Sequence, residues 1–154
     1  ELKKYHHVEK GVNARLDTLQ AAILGVKLPR LGWANDNRRR AARAYEKGLA
    51  GIAPIVVPKG PADELAHIYH LFVIRTPKRD ALQHFLHEQG IQSGIHYPIP
   101  IHRQPAYAEL ASSGSRLPVT TAIADEILSL PMFPELTDGQ IARVCGAIAE
   151  FHGA

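Results

Sequence analysis

Wound as a helix, the stretch from Leu16 to Leu28 is apolar nearly all round. Leu16, Leu19, Ile23 and Val26 recur at helical spacing, while Ala21, Ala22, Leu24 and Leu28 fill the opposite side. Such a helix needs cover on several sides, and in a chain of 154 residues the natural cover is a partner subunit. The pattern therefore predicts a homodimer through the Leu16–Leu28 helix. Pro29 interrupts or bends it, and a second helix is expected from Arg38 to Leu49, ending near Gly48 and Gly51, with Arg38, Arg39, Arg40 and Arg43 on a solvated face.

A polar loop, Gly11-Val12-Asn13-Ala14-Arg15-Leu16-Asp17, leads into the apolar helix. Gly11 loosens the backbone, and Asn13 and Asp17 offer short polar side chains. Two readings stand: a simple helix cap, or a place where free first-turn amides receive a phosphate or carboxylate.

The remaining chain alternates short strands and helices. The segment from Ala50 to Ala66 is rich in proline, glycine and charge, marks the edge of a compact domain, and offers Ile55-Val56-Val57 as an edge strand. A strand is expected from His67 to Thr76, covered on both faces, with His67 and His70 pointing to opposite sides and so unable to share a metal ion. A helix then runs through Leu82, Phe85 and Leu86 to a closing Gly90, followed by a second strand around Ile91 to Tyr97. Pro98 to Leu117 reads as loop with a short helix at Gln104 to Leu110. Pro118 opens another helix, Leu128-Ser129-Leu130 adds a third strand, and Thr137 and Gln140 have the spacing of a capping box ahead of an apolar stripe formed by Ile141, Val144, Ile148 and Phe151.

Composition narrows the function classes. A hydrophobic content of 45% with no apolar run of about 20 residues predicts no membrane span. The formal charge of +3 permits an anionic ligand, but one arginine run without interleaved aromatics argues against nucleic acid. Cys145, the only cysteine, excludes an internal disulfide, fits a cytoplasmic location, and lies in a helical apolar pattern expected to bury it. Among nine histidines, His84 and His87 share a helix face without an evident third ligand, so no metal site is expected; His6 and His7, with Lys3, Lys4 and Lys10, read as a basic approach to a phosphate. His96-Tyr97-Pro98-Ile99-Pro100-Ile101-His102 places two imidazoles and a phenol in a proline-braced loop, which reads either as a polar recognition loop or as a surface turn with incidental polar groups.

The loop G-x-N-x-R-L-D-x-L-Q-A-A with Lys27-Leu28-Pro29, the block His70 to Arg75 with Arg79 to Leu82, the run Ile95 to Tyr107, and Ile127 to Pro134 with Leu136-Thr137-Asp138 resemble, in this order, the pyridoxal-phosphate-dependent sugar aminotransferases of the DegT/StrS type. The resemblance implies an α+β fold: a long helical arm followed by a small domain with a short, mainly antiparallel sheet packed by helices, as in the C-terminal part of a fold-type I aminotransferase. Residues 1–50 would be the loop and the dimer-interface helices, and residues 51–154 the small domain.

The family activity implied is transfer of an amino group from glutamate to a keto-sugar nucleotide, with pyridoxal 5'-phosphate held on a Schiff-base lysine. None of the lysines here stands in that lysine motif, and the large domain that carries it in the family is absent from these residues. The expectation is a C-terminal fragment without catalytic residues, inactive and binding no cofactor alone. The resemblance implies two roles residue by residue. Asn13 would reach the cofactor phosphate of the neighbouring subunit; Tyr97, with His96 and His102, would line the substrate side. Arg15 and Asp17 read as a structural pair anchoring the loop. The alternative is a free-standing, non-catalytic dimerisation or regulatory module derived from the family.

Overall fold

A computed structural model describes residues 4–12, 16–112 and 117–154. Helix α1 (Thr18–Lys27) begins at Asp17, whose Oδ1 accepts the Gln20 amide at 2.8 Å. A 3-10 turn at Leu28–Arg30 absorbs Pro29, and α2 (Leu31–Gly48) follows at once. The second helix thus starts well before Arg38: a proline in a first turn lacks only an amide that has no helical partner there, so the chain bends without a loop.

The core lies behind α2. Its Ala41, Ala42, Tyr45 and Leu49 pack against Ile141, Val144, Cys145 and Ile148 of α6 (Asp138–His152) and against Leu82 and Leu86 of α3 (Arg79–Glu88). Between them runs an antiparallel pair, β1 (Phe72–Arg75) and β2 (Ile127–Leu130), in the register Phe72↔Leu130 and Ile74↔Leu128. These four side chains are buried, so one face of the sheet is a main wall of the core. Tyr45 stacks on Phe72 with ring centroids 5.0 Å apart and donates its hydroxyl to the Pro131 carbonyl at 3.0 Å, which satisfies the polar end of a buried phenol.

Local signals account for several helix ends. Gly90, at φ 71, accepts the left-handed turn that closes α3, and Pro118 stands in the first turn of α5 (Pro118–Glu126). The box at the start of α6 is complete: Thr137 Oγ1 accepts the Gln140 amide at 3.3 Å and Gln140 Oε1 accepts the Thr137 amide at 3.0 Å.

The strand expectations are corrected. The first strand is shorter than His67 to Thr76: Tyr69 takes φ 49 and donates its amide to His67 Nδ1 at 2.8 Å, so residues 67–71 lie outside the strand. Its faces are also unequal, with Phe72 and Ile74 buried and Val73 half-buried. The strands foreseen at 55–57 and 91–97 contract to single antiparallel bridges, Val56↔Arg75 and Gly94↔Ser129, one on each edge of the pair.

Arg38 and Arg40 of α2 do not stand on a solvated face, whereas Arg43 is exposed as expected. Arg38 Nη1 donates to the carbonyls of Tyr69, His70 and Met132 at 3.5, 3.3 and 3.2 Å. Arg40 pairs with Asp138 and donates to the Leu136 carbonyl at 2.5 Å. The long guanidinium fork reaches loop carbonyls that the helix backbone cannot, so these residues fasten α2 to the bends beside it.

Among the described residues, no helix is long and apolar enough to cross a membrane.

Candidate functional site

The proline-braced loop departs from the edge of the sheet. Gly94 and Ser129 exchange backbone hydrogen bonds at 3.0 and 2.7 Å, which ties the start of the loop to β2. His96 Nδ1 shares a hydrogen bond with Ser129 Oγ at 3.0 Å, and His102 Nε2 shares one with Thr121 Oγ1 of α5 at 3.2 Å. Both imidazoles therefore anchor the loop to the body. Tyr97, between them, is 64% exposed and extends into open space. Short 3-10 turns at Ile101–Arg103 and Pro105–Tyr107 carry the chain on to α4 (Ala108–Ser112).

A second strand of chain lies over this loop. Residues 4–11 run along it, with Ala106 donating its amide to the His7 carbonyl at 3.0 Å. Tyr5 meets Tyr97 edge-on at 5.6 Å, and Lys10 Nζ stands 4.7 Å from the Tyr107 ring while pairing with Glu109. Between the two segments opens a cleft of about 510 Å³ whose walls include Tyr5, His7, Lys10, Tyr97, Gln104 and Tyr107. Three phenols and one ammonium facing a common space can stack on a planar group and bind an anion. Of the loop residues His96, Tyr97 and His102, Tyr97 lines this cleft, together with His7 and Lys10 of the basic approach, whereas His96 and His102 are turned to Ser129 and Thr121. Asn13 and Arg15 lie outside the described residues.

The sequence reading missed Gln104, which is 8% exposed and touches both walls. A glutamine in a polar loop carries no local sign of burial, and only the proline after it hints at a fixed backbone.

The electrostatics of the cleft argue against a lysine nucleophile in it. The hydrogen bond to Glu109 raises the Lys10 pKa above 10.5, and the same bond lowers that of Glu109 below 4.5. A Schiff-base lysine needs the opposite shift. At the start of α1, Asp17 already occupies the Gln20 amide with a carboxylate, so the cap reading holds there and negative charge stands where a phosphate would approach.

A separate open cleft of about 480 Å³ includes Asp80, His84, His87 and Ser93, with His84 Nε2 3.4 Å from Glu88. Among the described residues no group of three histidine, cysteine or carboxylate side chains is placed to hold a metal ion. Cys145 is buried, and burial pushes its thiol from 9.0 up to about 11, which makes it unreactive.

Comparison with known proteins agrees with this architecture from end to end. The profile of the DegT/DnrJ/EryC1/StrS aminotransferase family matches residues 1–149. The chain is 46% identical over 151 residues to a pleiotropic regulatory protein of Geobacillus stearothermophilus, covering 97% of this chain and 40% of that protein. It is 45% identical over 150 residues to the UDP-N-acetyl-3-dehydro-alpha-D-glucosamine 3-aminotransferase of Acidithiobacillus ferrooxidans, again covering 97% and 40%. The crystal structure of S. venezuelae DesV in complex with a ketimine intermediate superposes with a TM-score of 0.83 at 40% identity, over 100% of this chain and 41% of that one. The chain thus spans about two fifths of the length of these relatives. Its helices and two-stranded antiparallel sheet match the fold of fold-type I sugar aminotransferase structures. With the family profile running through the arm, the cleft and α6 alike, the chain belongs to the DegT/DnrJ/EryC1/StrS aminotransferase family.

Proposed function

We propose that this chain is the small domain and connecting helical arm of a pyridoxal-phosphate-dependent aminotransferase that moves an amino group from glutamate to a keto-sugar nucleotide, and that it is inactive alone. The observation that carries this reading is α1: Leu19 is 72%, Ile23 53% and Val26 80% exposed, and the helix buries none of its residues. An apolar helix left bare in a chain two fifths the length of its relatives calls for the remaining polypeptide, or a second subunit of the dimer, as its cover.

Pyridoxal phosphate, when bound by the assembled enzyme, supplies the electron sink for amino transfer. This chain contributes recognition. Tyr97 offers an exposed phenol to the nucleotide-linked sugar, Tyr5 and Tyr107 wall the same space, and His96 and His102 hold the loop through Ser129 and Thr121. Asn13 is assigned to the cofactor phosphate of the neighbouring subunit.

A second reading, a non-catalytic dimerisation or regulatory module, draws on the regulatory name of the Geobacillus relative. That name belongs to a longer protein, of which this chain matches 40%. The test joins this chain to the part of the Acidithiobacillus enzyme that it does not cover. The expected result is glutamate-dependent amination of UDP-N-acetyl-3-dehydro-glucosamine and cofactor absorbance in the chimera, with neither in the 154-residue chain. Turnover by the chain alone overturns its assigned inactivity, and a folded chimera inert toward keto-sugar nucleotides favours the second reading.

A further inference from the structure

The cleft has two walls from distant parts of the sequence, and one buried side chain joins them. Gln104 Oε1 accepts the His7 amide at 3.0 Å, while Nε2 donates to the Tyr5 carbonyl at 3.0 Å and to the Ile99 carbonyl at 3.4 Å. Its own backbone is also fixed, with the amide donating to Ile101 and the carbonyl accepting from Tyr107 at 3.0 and 2.9 Å. We propose that Gln104 is the positioning residue of the cleft, a clasp that docks the segment 5–7 on the loop carrying Tyr97 and so sets Tyr5 opposite Tyr97. That the cleft so shaped receives a nucleotide-linked sugar rests on the function proposed above.

The chemistry of the clasp is specific to a carboxamide. One acceptor must face the His7 amide while a donor, on the same planar group, faces two carbonyl oxygens. Leucine leaves all three backbone groups unsatisfied, and a glutamate carboxylate turns acceptor against acceptor at Tyr5 and Ile99. Tyr5 adopts φ 66, a left-handed conformation that a bulky side chain holds only when its surroundings impose it. The bond from Gln104 to the Tyr5 carbonyl acts on that same residue.

Amide hydrogen exchange on the full chain tests the clasp, with NMR cross-peaks between the Tyr5 and Tyr97 rings as a second measure. His7 and Ala106 are expected to be protected in the parent protein. Gln104→Leu is expected to lower both protection factors at least tenfold and erase the Tyr5–Tyr97 cross-peaks, while Leu86 and Ile148 amides keep theirs. Gln104→Glu supplies a readout that simple loss of packing does not: release near pH 7, and return of protection near pH 5, where a protonated carboxyl again donates to a carbonyl. The parent at each pH is the reference, because His6, His7 and the Lys10–Glu109 pair lie in or against the same segment. Unprotected His7 and Ala106 in the parent, unchanged protection in Gln104→Leu, or no pH response in Gln104→Glu overturns the clasp. The chimera described above separates the two proposals: protected His7 and Ala106 amides in a folded chimera that is inert toward keto-sugar nucleotides support the clasp and count against the nucleotide-sugar reading.

Discussion

Helices α1 and α6 are both rich in apolar residues, yet the structure treats them in opposite ways. Five residues of α6 are buried in the core, whereas α1 buries none. The difference lies in how apolar residues are distributed. In α6 they form one stripe backed by polar positions, which fits one wall of a core; in α1 they surround the axis, which no single wall can cover. The contrast separates residues that stabilise this chain from residues that wait for another surface.

The comparison breaks most visibly if core and arm respond alike to truncation. Phe72→Ala, at a ring with no exposure, is expected to cost about 3–5 kcal/mol in urea unfolding, whereas Ile23→Ala in α1 is expected to stay within about 0.5 kcal/mol. Equal losses would mean that α1 is covered within the chain.

Alkaline pH probes the same core through α6. Burial holds the Cys145 thiol protonated to about pH 11 against an ordinary 9.0, and burial followed by the neighbouring thiol raises the Tyr45 phenol above its ordinary 10.0. The unfolded chain releases these protons first, so stability present below pH 9 is lost as pH rises toward 11, with about 2–3 kcal/mol assigned to the thiol. Urea midpoints measured from pH 8 to 11 check this, and Cys145→Ala should flatten the decline.

A smaller effect sharpens the picture of how α2 meets α6. A Cβ on Gly48 would stand 2.7 Å from Cys145 Sγ, so Gly48→Ala is expected to cost about 1–3 kcal/mol. Thermal melts should show most of that loss recovered when Cys145→Ala is added, because the double variant removes the obstructing sulfur.

The smallest change in stability is expected on the arm, with the largest change in assembly. Leu19→Lys together with Ile23→Lys should shift sedimentation toward the monomer, and leave the urea midpoint nearly unchanged at protein concentrations low enough for the parent also to be monomeric. Unaltered association would remove α1 from the dimer contact.

Much of the fold was legible because its signals are local. The Thr137/Gln140 box, Pro118 and Gly90 act within one helical turn, so α6, α5 and the end of α3 follow from neighbouring residues. The first strand was over-extended because β-rich composition at 67–71 does not reveal that His67 captures the Tyr69 amide. Tyr97 was legible as a polar group on a stiff loop. The inward turn of His96 and His102 was not, since Ser129 and Thr121 lie 33 and 19 residues away.

The sequence by itself determined the family, the capping box of α6, the proline that opens α5 and the apolar circumference of α1, because each is written in residue type and spacing along the chain. Only the tertiary structure decided that Arg38 and Arg40 fasten α2 to loop carbonyls, that His96 and His102 bond Ser129 and Thr121 behind the loop, and that Gln104 joins the walls of the cleft. Those roles depend on which distant backbone groups come within about 3 Å of a side chain, and hydrogen-bonding partners of that kind are chosen when the chain packs.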